Sequence, residues 1–255
     1  NNGPSDILLL RYLENGSPDS IFGNNGVVVS NLGNLKESAT GLALQPDGDI
    51  VIAGIQKVNE DGDYQYILGR YLENGSLDNS FGVGGIVETG WGGLWDSLVA
   101  IQPNGEILLA GRHAVGTLSY GVARYDGNGD LDLAFGDNGL ALMDMGGTDG
   151  SVPGLVLQGE GKIVLGGGSD DVFAAVRFDS SGVIDAAFGN AGVATSSVGF
   201  LAFPNELLYS TDGKLKVAGS ALSPEFDLDI AVVGFNPDGS LDEGFGEGGL
   251  VITDL

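Results

Sequence analysis

The stretch RYLENGSLDNSFG, beginning at Arg70, is almost a copy of RYLENGSPDSIFG, beginning at Arg11. Looser copies follow as RYDGNGDLDLAFG from Arg124, RFDSSGVIDAAFG from Arg177 and GFNPDGSLDEGFG from Gly234, so the five starts lie 59, 54, 53 and 57 residues apart. A fixed period constrains the fold more than any other feature of this chain. Each repeat is one small unit that buries its apolar face only by stacking on its neighbours. The expectation is therefore a single repeat domain over 1–255, with junctions starting near 11, 70, 124, 177 and 234 and no interdomain linkers.

Within the phrase, an aromatic holds the second slot (Tyr12, Tyr71, Tyr125, Phe178, Phe235) and glycine the sixth (Gly16, Gly75, Gly129, Gly182, Gly239). Asp holds the ninth slot (Asp19, Asp78, Asp132, Asp185, Asp242), and Phe-Gly closes the phrase (Phe22, Phe81, Phe135, Phe188, Phe245 with their glycines). Glycine supplies positive φ in a turn. Asp followed by x-x-Phe-Gly fits one helical turn, with the carboxylate capping free N–H groups and the Phe buried beneath the crossing.

A second phrase alternates with the first: ALQPDGDIVIAG from Ala43, AIQPNGEILLAG from Ala100, VLQGEGKIVLGG from Val156 and LYSTDGKLKVAG from Leu208. Its central turn between an alternating and an apolar segment reads as a β-hairpin. A third strand is the apolar run entering the first phrase, as in YILGRY, and a fourth follows the Phe-Gly, as in GIVET. Four antiparallel strands per repeat, with many glycine turns and no amphipathic helix, point to an all-β chain folded as a β-propeller of four-stranded blades. Four complete repeats plus partial terminal strands give about five blade positions. The first phrase is expected to join the outer strand of one blade to the inner strand of the next, leaving a lone outer strand at the start and a lone inner strand at the end.

The phrases NPDGSLDEGFGEGG and ALQPDGDIVIAG resemble those of the delta-60 repeat family, bacterial β-propeller proteins of mostly uncharacterised function. The resemblance covers essentially the whole chain. It implies the propeller fold and a secreted or cell-surface setting, and it supplies no catalytic residues. The chain departs from the pattern where STDGKLKV replaces Gln-Pro and where Gly234 replaces Arg.

Composition narrows the chemistry. No Cys is present, so disulfides and thiolate metal sites are excluded, and one histidine, His113, leaves little for a histidine metal site. Thirty-five acidic residues against ten basic ones create a field that repels nucleic acid. No apolar run reaches the roughly 18 residues of a membrane helix, so no membrane insertion is expected. The chain begins without Met or an apolar leader, and any targeting signal is expected to have been removed or to lie outside it.

Strand alternation puts both repeated phrases at one end of the blades and the irregular loops at the other. Function on a scaffold resides in variable loops, so the irregular end is the expected ligand-binding face. Its unusual residues are Trp91, Trp95, Arg112, His113, Tyr64, Tyr66, Phe200, Phe203, Asp170 and Asp171. Arg11, Arg70, Arg124 and Arg177 share one slot and are expected to brace neighbouring blades, together with the Asp eight residues on. Asp126, Asn128, Asp130 and Asp132 place oxygens at alternate positions, as calcium loops do, although the distal Glu is missing; calcium is the one cofactor considered. Catalytic motifs are absent, so the chain is expected not to be an enzyme but to be a binding or structural module that recognises a glycan or protein partner. The alternatives are a carbohydrate-active enzyme with a central carboxylate pair and a scaffold segment of an adhesin, filament or larger repeat array.

Overall fold

A computed structural model describes residues 6–31, 36–59, 63–92, 97–113, 119–145, 150–223 and 226–254. A two-stranded antiparallel sheet comes first, made of β1 (Ile7–Leu10) and β2 (Val27–Ser30). Four four-stranded sheets follow in chain order. They are β3 (Glu37–Leu44) to β4 (Ile50–Lys57), β5 (Tyr64–Tyr71) and β6 (Ile86–Glu88); then β7 (Ser97–Ile101), β8 (Ile107–His113), β9 (Ser119–Tyr125) and β10 (Leu140–Asp144). The last two are β11 (Gly150–Leu157), β12 (Ile163–Ser169), β13 (Val172–Phe178) and β14 (Val193–Ser197); and β15 (Leu201–Tyr209), β16 (Leu215–Leu222), β17 (Leu228–Phe235) and β18 (Leu250–Thr253). The architecture is all-β and propeller-like, as the repeat predicts.

The pairing corrects the expected phase. β5 pairs with β6 in the register Ile67↔Glu88, Leu68↔Val87 and Gly69↔Ile86, so the phrase from Arg70 joins the third and fourth strands of one sheet rather than two successive blades. The phrase folds back on its own start. Asp78 N–H donates to the Arg70 carbonyl, Arg70 N–H donates to the Gly85 carbonyl, and Tyr71 bridges to Leu77. β1 pairs with β2 and β18 with β17, in place of the lone terminal strands expected.

The chain divides into two compact units, residues 1–109 with 124–131 and residues 110–123 with 132–255, the division running through β8 and β9. In the first unit, the first strands of adjacent sheets run close together: Thr40 Oγ1 donates to the Ser97 carbonyl at 2.8 Å, and a Cβ on Gly41 would lie 3.0 Å from that same oxygen. Its core gathers Ile7, Leu9, Phe22, Ile52, Ile67 and Tyr71. In the second unit, Leu207 of β15 fills the space above Gly154 of β11 and Gly166 of β12, within a core that includes Phe173, Phe188, Val217 and Phe235. β3, β11 and β15 each carry a register shift, at Ala39/Gly41, Ser151/Gly154 and Pro204/Glu206, which bends the strand.

Consecutive repeats are joined by a clamp built from the first phrase. The phrase-six glycines Gly75, Gly129, Gly182 and Gly239 have φ between +82° and +87°, and a Cβ on each would stand 2.8–3.0 Å from the ring of Phe22, Phe81, Phe135 or Phe188 of the preceding copy. The glycine after each Phe donates its N–H to a carbonyl of the next copy: Gly23 to Asn74, Gly82 to Asn128, Gly136 to Ser181 and Gly189 to Asp238. Arg11, Arg70 and Arg177 each do three things at once. Nε or Nη2 meets the Asp eight residues on at 2.8, 2.6 and 2.9 Å. The guanidinium carbon lies 4.6, 4.7 and 4.4 Å from the centroid of the phrase's own Phe ring. Nη1 donates to a carbonyl of the following copy, Glu73, Gly127 or Pro237. Arg124 has its Nη1 3.3 Å from Glu106 Oε2.

The fifth copy has Gly234 where the others have Arg, and two lysines of β16 and its turn occupy the space. Lys214 Nζ donates to Asp242 Oδ2 at 2.7 Å, and Lys216 Nζ lies 5.3 Å from the Phe245 ring centroid.

Two expectations follow from the clamp. Gly129→Ala, which combines positive φ with a Cβ against Phe81, is expected to destabilise by roughly 2–4 kcal/mol; Gly16→Ala, where nothing lies within 4 Å of the new methyl, is expected to cost about 1 kcal/mol. Urea unfolding of the two variants measures the difference. The Ser80 hydroxyl, the Ser80 backbone N–H and Arg70 hold the Asp78 carboxyl below its ordinary value against burial. A depressed carboxyl stabilises the fold above its unfolded value of about 3.9 and ceases to as pH falls through the folded value, so Asp78→Asn should flatten the acid limb of stability against pH.

Candidate functional site

The two repeated phrases meet at one end of the sheets: Glu73 N–H donates to Asp49 Oδ1 at 3.2 Å, and a Cβ on Gly213 would lie 3.1 Å from Pro237. At this end a groove of about 770 Å³ runs beside β6, with Asn31, Ser80, Val83, Glu88, Asn128 and Asp130 among its lining residues. The same positions two repeats on, from Ala187 to Thr195 with Asp238 to Ser240, line a smaller groove of about 370 Å³. Recurrence at equivalent positions marks these grooves as a product of the short fourth strand between successive phrases.

The irregular end holds the aromatic and polar residues expected there, but in very different states. Tyr66 is fully buried, which corrects its assignment to a ligand-contacting surface. Its ring packs edge-on against Trp91 at 4.9 Å and 85°, and its N–H donates to the Trp91 carbonyl at 2.9 Å. The Trp91 indole N–H donates to Tyr125 Oη at 3.2 Å, so this indole, half-buried, has its polar atom and one edge engaged within the protein. Tyr64 opens β5 and is half-buried. Trp95 lies outside the described residues.

In the second unit, Arg112 Nη1 donates to the Gly150 carbonyl at 3.3 Å, and burial lowers the pKa of His113. Asp170 and Asp171 form the tip of the tight hairpin between β12 and β13, Asp170 at φ +53°. Their carbonyls accept N–H groups from the next sheet's entry segment: Ala202 N–H to Asp170 at 2.7 Å and Val198 N–H to Asp171 at 3.0 Å. Asp171 Oδ2 accepts from the Ser197 hydroxyl at 3.0 Å.

That pinned segment presents Phe200. Its N–H donates to the Leu222 carbonyl at 2.8 Å, while the side chain is 62% exposed. Facing it is Phe226, at 6.0 Å between ring centroids and 65° between planes, and 72% exposed. Phe226 stands at φ +67° in a turn closed by Phe226 N–H to the Ser223 carbonyl, Ser223 N–H to the Asp227 carbonyl and Asp227 N–H to Ser223 Oγ. Phe203, on β15, is also exposed. The structure thus gathers Phe200, Asp170 and Asp171, three residues singled out from the sequence, and adds Phe226. Phe226 stands in the long loop segment ALSPEFDLD, whose length was the only sequence signal for it.

Two of the four side chains suggested for calcium, Asp126 and Asp132, hold their own turn. Asp126 Oδ1 accepts from the N–H groups of Asn128 at 2.8 Å and Asp130 at 3.0 Å, and Asp132 Oδ1 accepts from Ala134 N–H at 3.0 Å. Asp179 Oδ1 does the same for Ser181 and Val183. Among the described residues, no group of three or more His, Asp or Glu side chains is placed to hold a metal ion. On the first strands of the sheets, the carboxylates are Glu37, buried in β3, and Glu206, whose Oε1 accepts from Leu207 N–H at 3.2 Å.

The model of a β-propeller family described as a domain of unknown function, DUF5122, matches residues 45–81, 102–135, 158–188 and 211–245, just over half of the chain. No curated protein matches it significantly. Among solved structures, a protein of unknown function from Dyadobacter fermentans is similar with a TM-score of 0.51 at 14% identity, over 94% of this chain and 68% of that one. The arabinanase Arb43A of Bacillus subtilis gives 0.45 at 13% identity, over 85% and 82%. CoXyl43, a β-xylosidase/α-arabinofuranosidase from a compost metagenome, gives 0.43 at 13% identity, over 82% and 76%. At such identities the likeness speaks for the fold alone. It nevertheless corrects the expectation that the chain is not an enzyme, because hydrolases stand among the structures it resembles and a missing catalytic motif is no ground for that exclusion.

The Trp91–Tyr125 contact generates a test. Burial pushes the Tyr125 hydroxyl up to about 12, against the opposing effect of the Trp91 hydrogen bond. A raised folded value stabilises below the unfolded value of about 10, and that contribution is lost as pH rises from there through the folded value. Wild-type stability is expected to decline in this alkaline window and Tyr125→Phe to flatten the decline, while Trp91→Phe should cost about 1 kcal/mol at neutral pH through the lost hydrogen bond.

Proposed function

Since the chain belongs to the DUF5122 β-propeller family, whose function is undefined, its own surface has to supply the reading, and we propose that it is a glycan-recognition propeller. Its repeats are of the delta-60 type, and it works outside the bacterial cell or on its surface. The contact surface is the irregular end of the β15–β18 sheet, where Phe200 and Phe226 meet the sugar.

One observation carries this reading. Phe226 is held at positive φ with most of its ring in water, at a cost on the order of 1–2 kcal/mol for a residue with a Cβ. Neither the strain nor the exposure contributes to folding, and strain of this kind is found where a site is pre-organised. Two exposed rings offer apolar faces to the C–H side of a pyranose. The exposed Asp170 carboxylate at the neighbouring hairpin tip and the Ser223–Asp227 turn add acceptors for hydroxyl groups. A pocket of apolar surface with a few placed polar groups is the usual composition of a small-ligand site. The acidic surface agrees with a neutral or cationic ligand and disfavours polyanions.

A glycan array followed by calorimetry on the strongest hit tests the reading. Phe200→Ala and Phe226→Ala are each expected to weaken binding at least about tenfold, equal to about 1.4 kcal/mol, with the unfolding midpoint unchanged or, for Phe226→Gly, raised. Glycan binding indifferent to both aromatics, or no glycan bound above background, would overturn it.

A further inference from the structure

All the residues that line the groove of about 770 Å³ beside β6 belong to the first compact unit. β6 is the edge of its sheet. Arg70 N–H donates to the Gly85 carbonyl and Thr89 N–H to the Tyr66 carbonyl, so Gly85, Val87 and Thr89 turn their peptide groups towards β5, and Ile86 and Glu88 turn theirs outward. Val83 takes up both groups of Ile86: its N–H donates to the Ile86 carbonyl at 2.8 Å, and its carbonyl accepts from Ile86 N–H at 3.4 Å. The outward N–H and C=O of Glu88 stand at the open edge, with no further strand beside them.

Leu77, Val83, Ile86 and Val87 give the groove its apolar lining, and Val83 is 89% exposed. A Cβ on Gly129 would lie 2.6 Å from Val87 Cγ2, and the residue after each, Asp130 and Glu88, brings an exposed carboxylate to the groove. No Lys or Arg lines it, and among the described residues no salt bridge engages either carboxylate. The equivalent groove two repeats on, of about 370 Å³, has Asn190, Thr195 and Ser240 in place of Val83, Glu88 and Asp130. Its one carboxylate, Asp238, is spent on its own turn, accepting the Ser240 N–H at 2.9 Å and the Ser240 hydroxyl at 2.7 Å. The pairing of an apolar lining with two free carboxylates therefore belongs to the β6 groove and is not a requirement of the repeat.

We propose that the β6 groove binds an extended segment of a partner protein that carries lysine or arginine at alternate positions. Its main chain meets the outward N–H and C=O of Glu88, as in strand addition to a sheet edge. Alternate side chains of an extended segment point the same way, so their aliphatic stems lie along Val83, Ile86 and Val87 while their charged heads reach Glu88 and Asp130. The formal charge of −25 draws such a segment in and repels an acidic one.

Fluorescence anisotropy of a labelled peptide of about nine residues, alternating threonine with lysine and capped at both ends, tests the site. It is titrated with the 255-residue chain up to roughly 1 mM. Binding is expected to saturate, to weaken as salt rises and to be absent for the matching threonine–glutamate peptide. Spermine, which brings charge without peptide groups, should displace the label only at about tenfold or more the concentration of unlabelled peptide that does so. Glu88→Gln with Asp130→Asn is expected to weaken binding at least about fivefold. Glu14→Gln with Glu243→Gln, which removes the same charge from exposed positions outside the groove, should leave it unchanged. Glu88→Lys with Asp130→Lys should transfer the preference to the glutamate peptide. All four positions are exposed, so circular dichroism should report an intact fold for every variant. Absence of saturable binding, equal losses in the two charge-matched variants, displacement by spermine as readily as by peptide, or no reversal of preference would each overturn the proposal.

Discussion

The sixth residue of the repeated phrase sits beneath the phenylalanine ring of the copy before it, at a distance that leaves no room for a Cβ and with a backbone angle that disfavours one. Much of the remaining structure depends on this contact. The ring reaches the glycine only if the preceding phrase closes its turn, which the ninth-position Asp brings about by accepting N–H groups and placing Phe one turn further on. The arginine that opens the phrase then lies over the same ring, holds the same Asp and reaches the next copy's carbonyl. Ring, glycine, carboxylate and guanidinium form one cooperative junction, and each residue type has a separate physical reason to recur.

The fifth copy shows which parts of that junction are chemistry and which are identity. With glycine in the arginine slot, Lys214 takes over the carboxylate and Lys216 the ring, so one planar cation becomes two point charges delivered from the neighbouring strand. Arg11, Arg70 and Arg177 reach, in addition, a carbonyl of the following copy. A cation over the ring and on the Asp thus belongs to closing a phrase, and the fork of an arginine belongs to linking one phrase to the next.

A scaffold whose regular end is consumed by these junctions leaves its irregular end free to vary. There Trp91, the largest aromatic among the described residues, is drawn into the protein by Tyr66 and Tyr125, whereas two phenylalanines of the last sheet remain in water on turns closed by backbone hydrogen bonds. The contrast is physical: an indole has one N–H to satisfy, and the buried Tyr125 hydroxyl offers a partner, while a phenyl ring has nothing to satisfy and stays where its turn puts it.

The sequence by itself determined the all-β propeller class and the turn glycines, because period, turn chemistry and strand alternation are local properties written in every copy, and it pointed to a bracing role for Arg11, Arg70 and Arg177. It also pointed to Phe200 and the Asp170–Asp171 tip through their place in irregular loops. Tertiary structure decided the phase of the repeat, since an alternating strand reads the same whether it pairs with the strand before it or begins the next blade, and only the hydrogen bonds of the folded phrase distinguish the two. Burial of Tyr66, engagement of Trp91, exposure of Phe226 and the capture of Asp242 by Lys214 were decided there too, because each depends on residues that are distant in the chain and adjacent only after the sheets have formed.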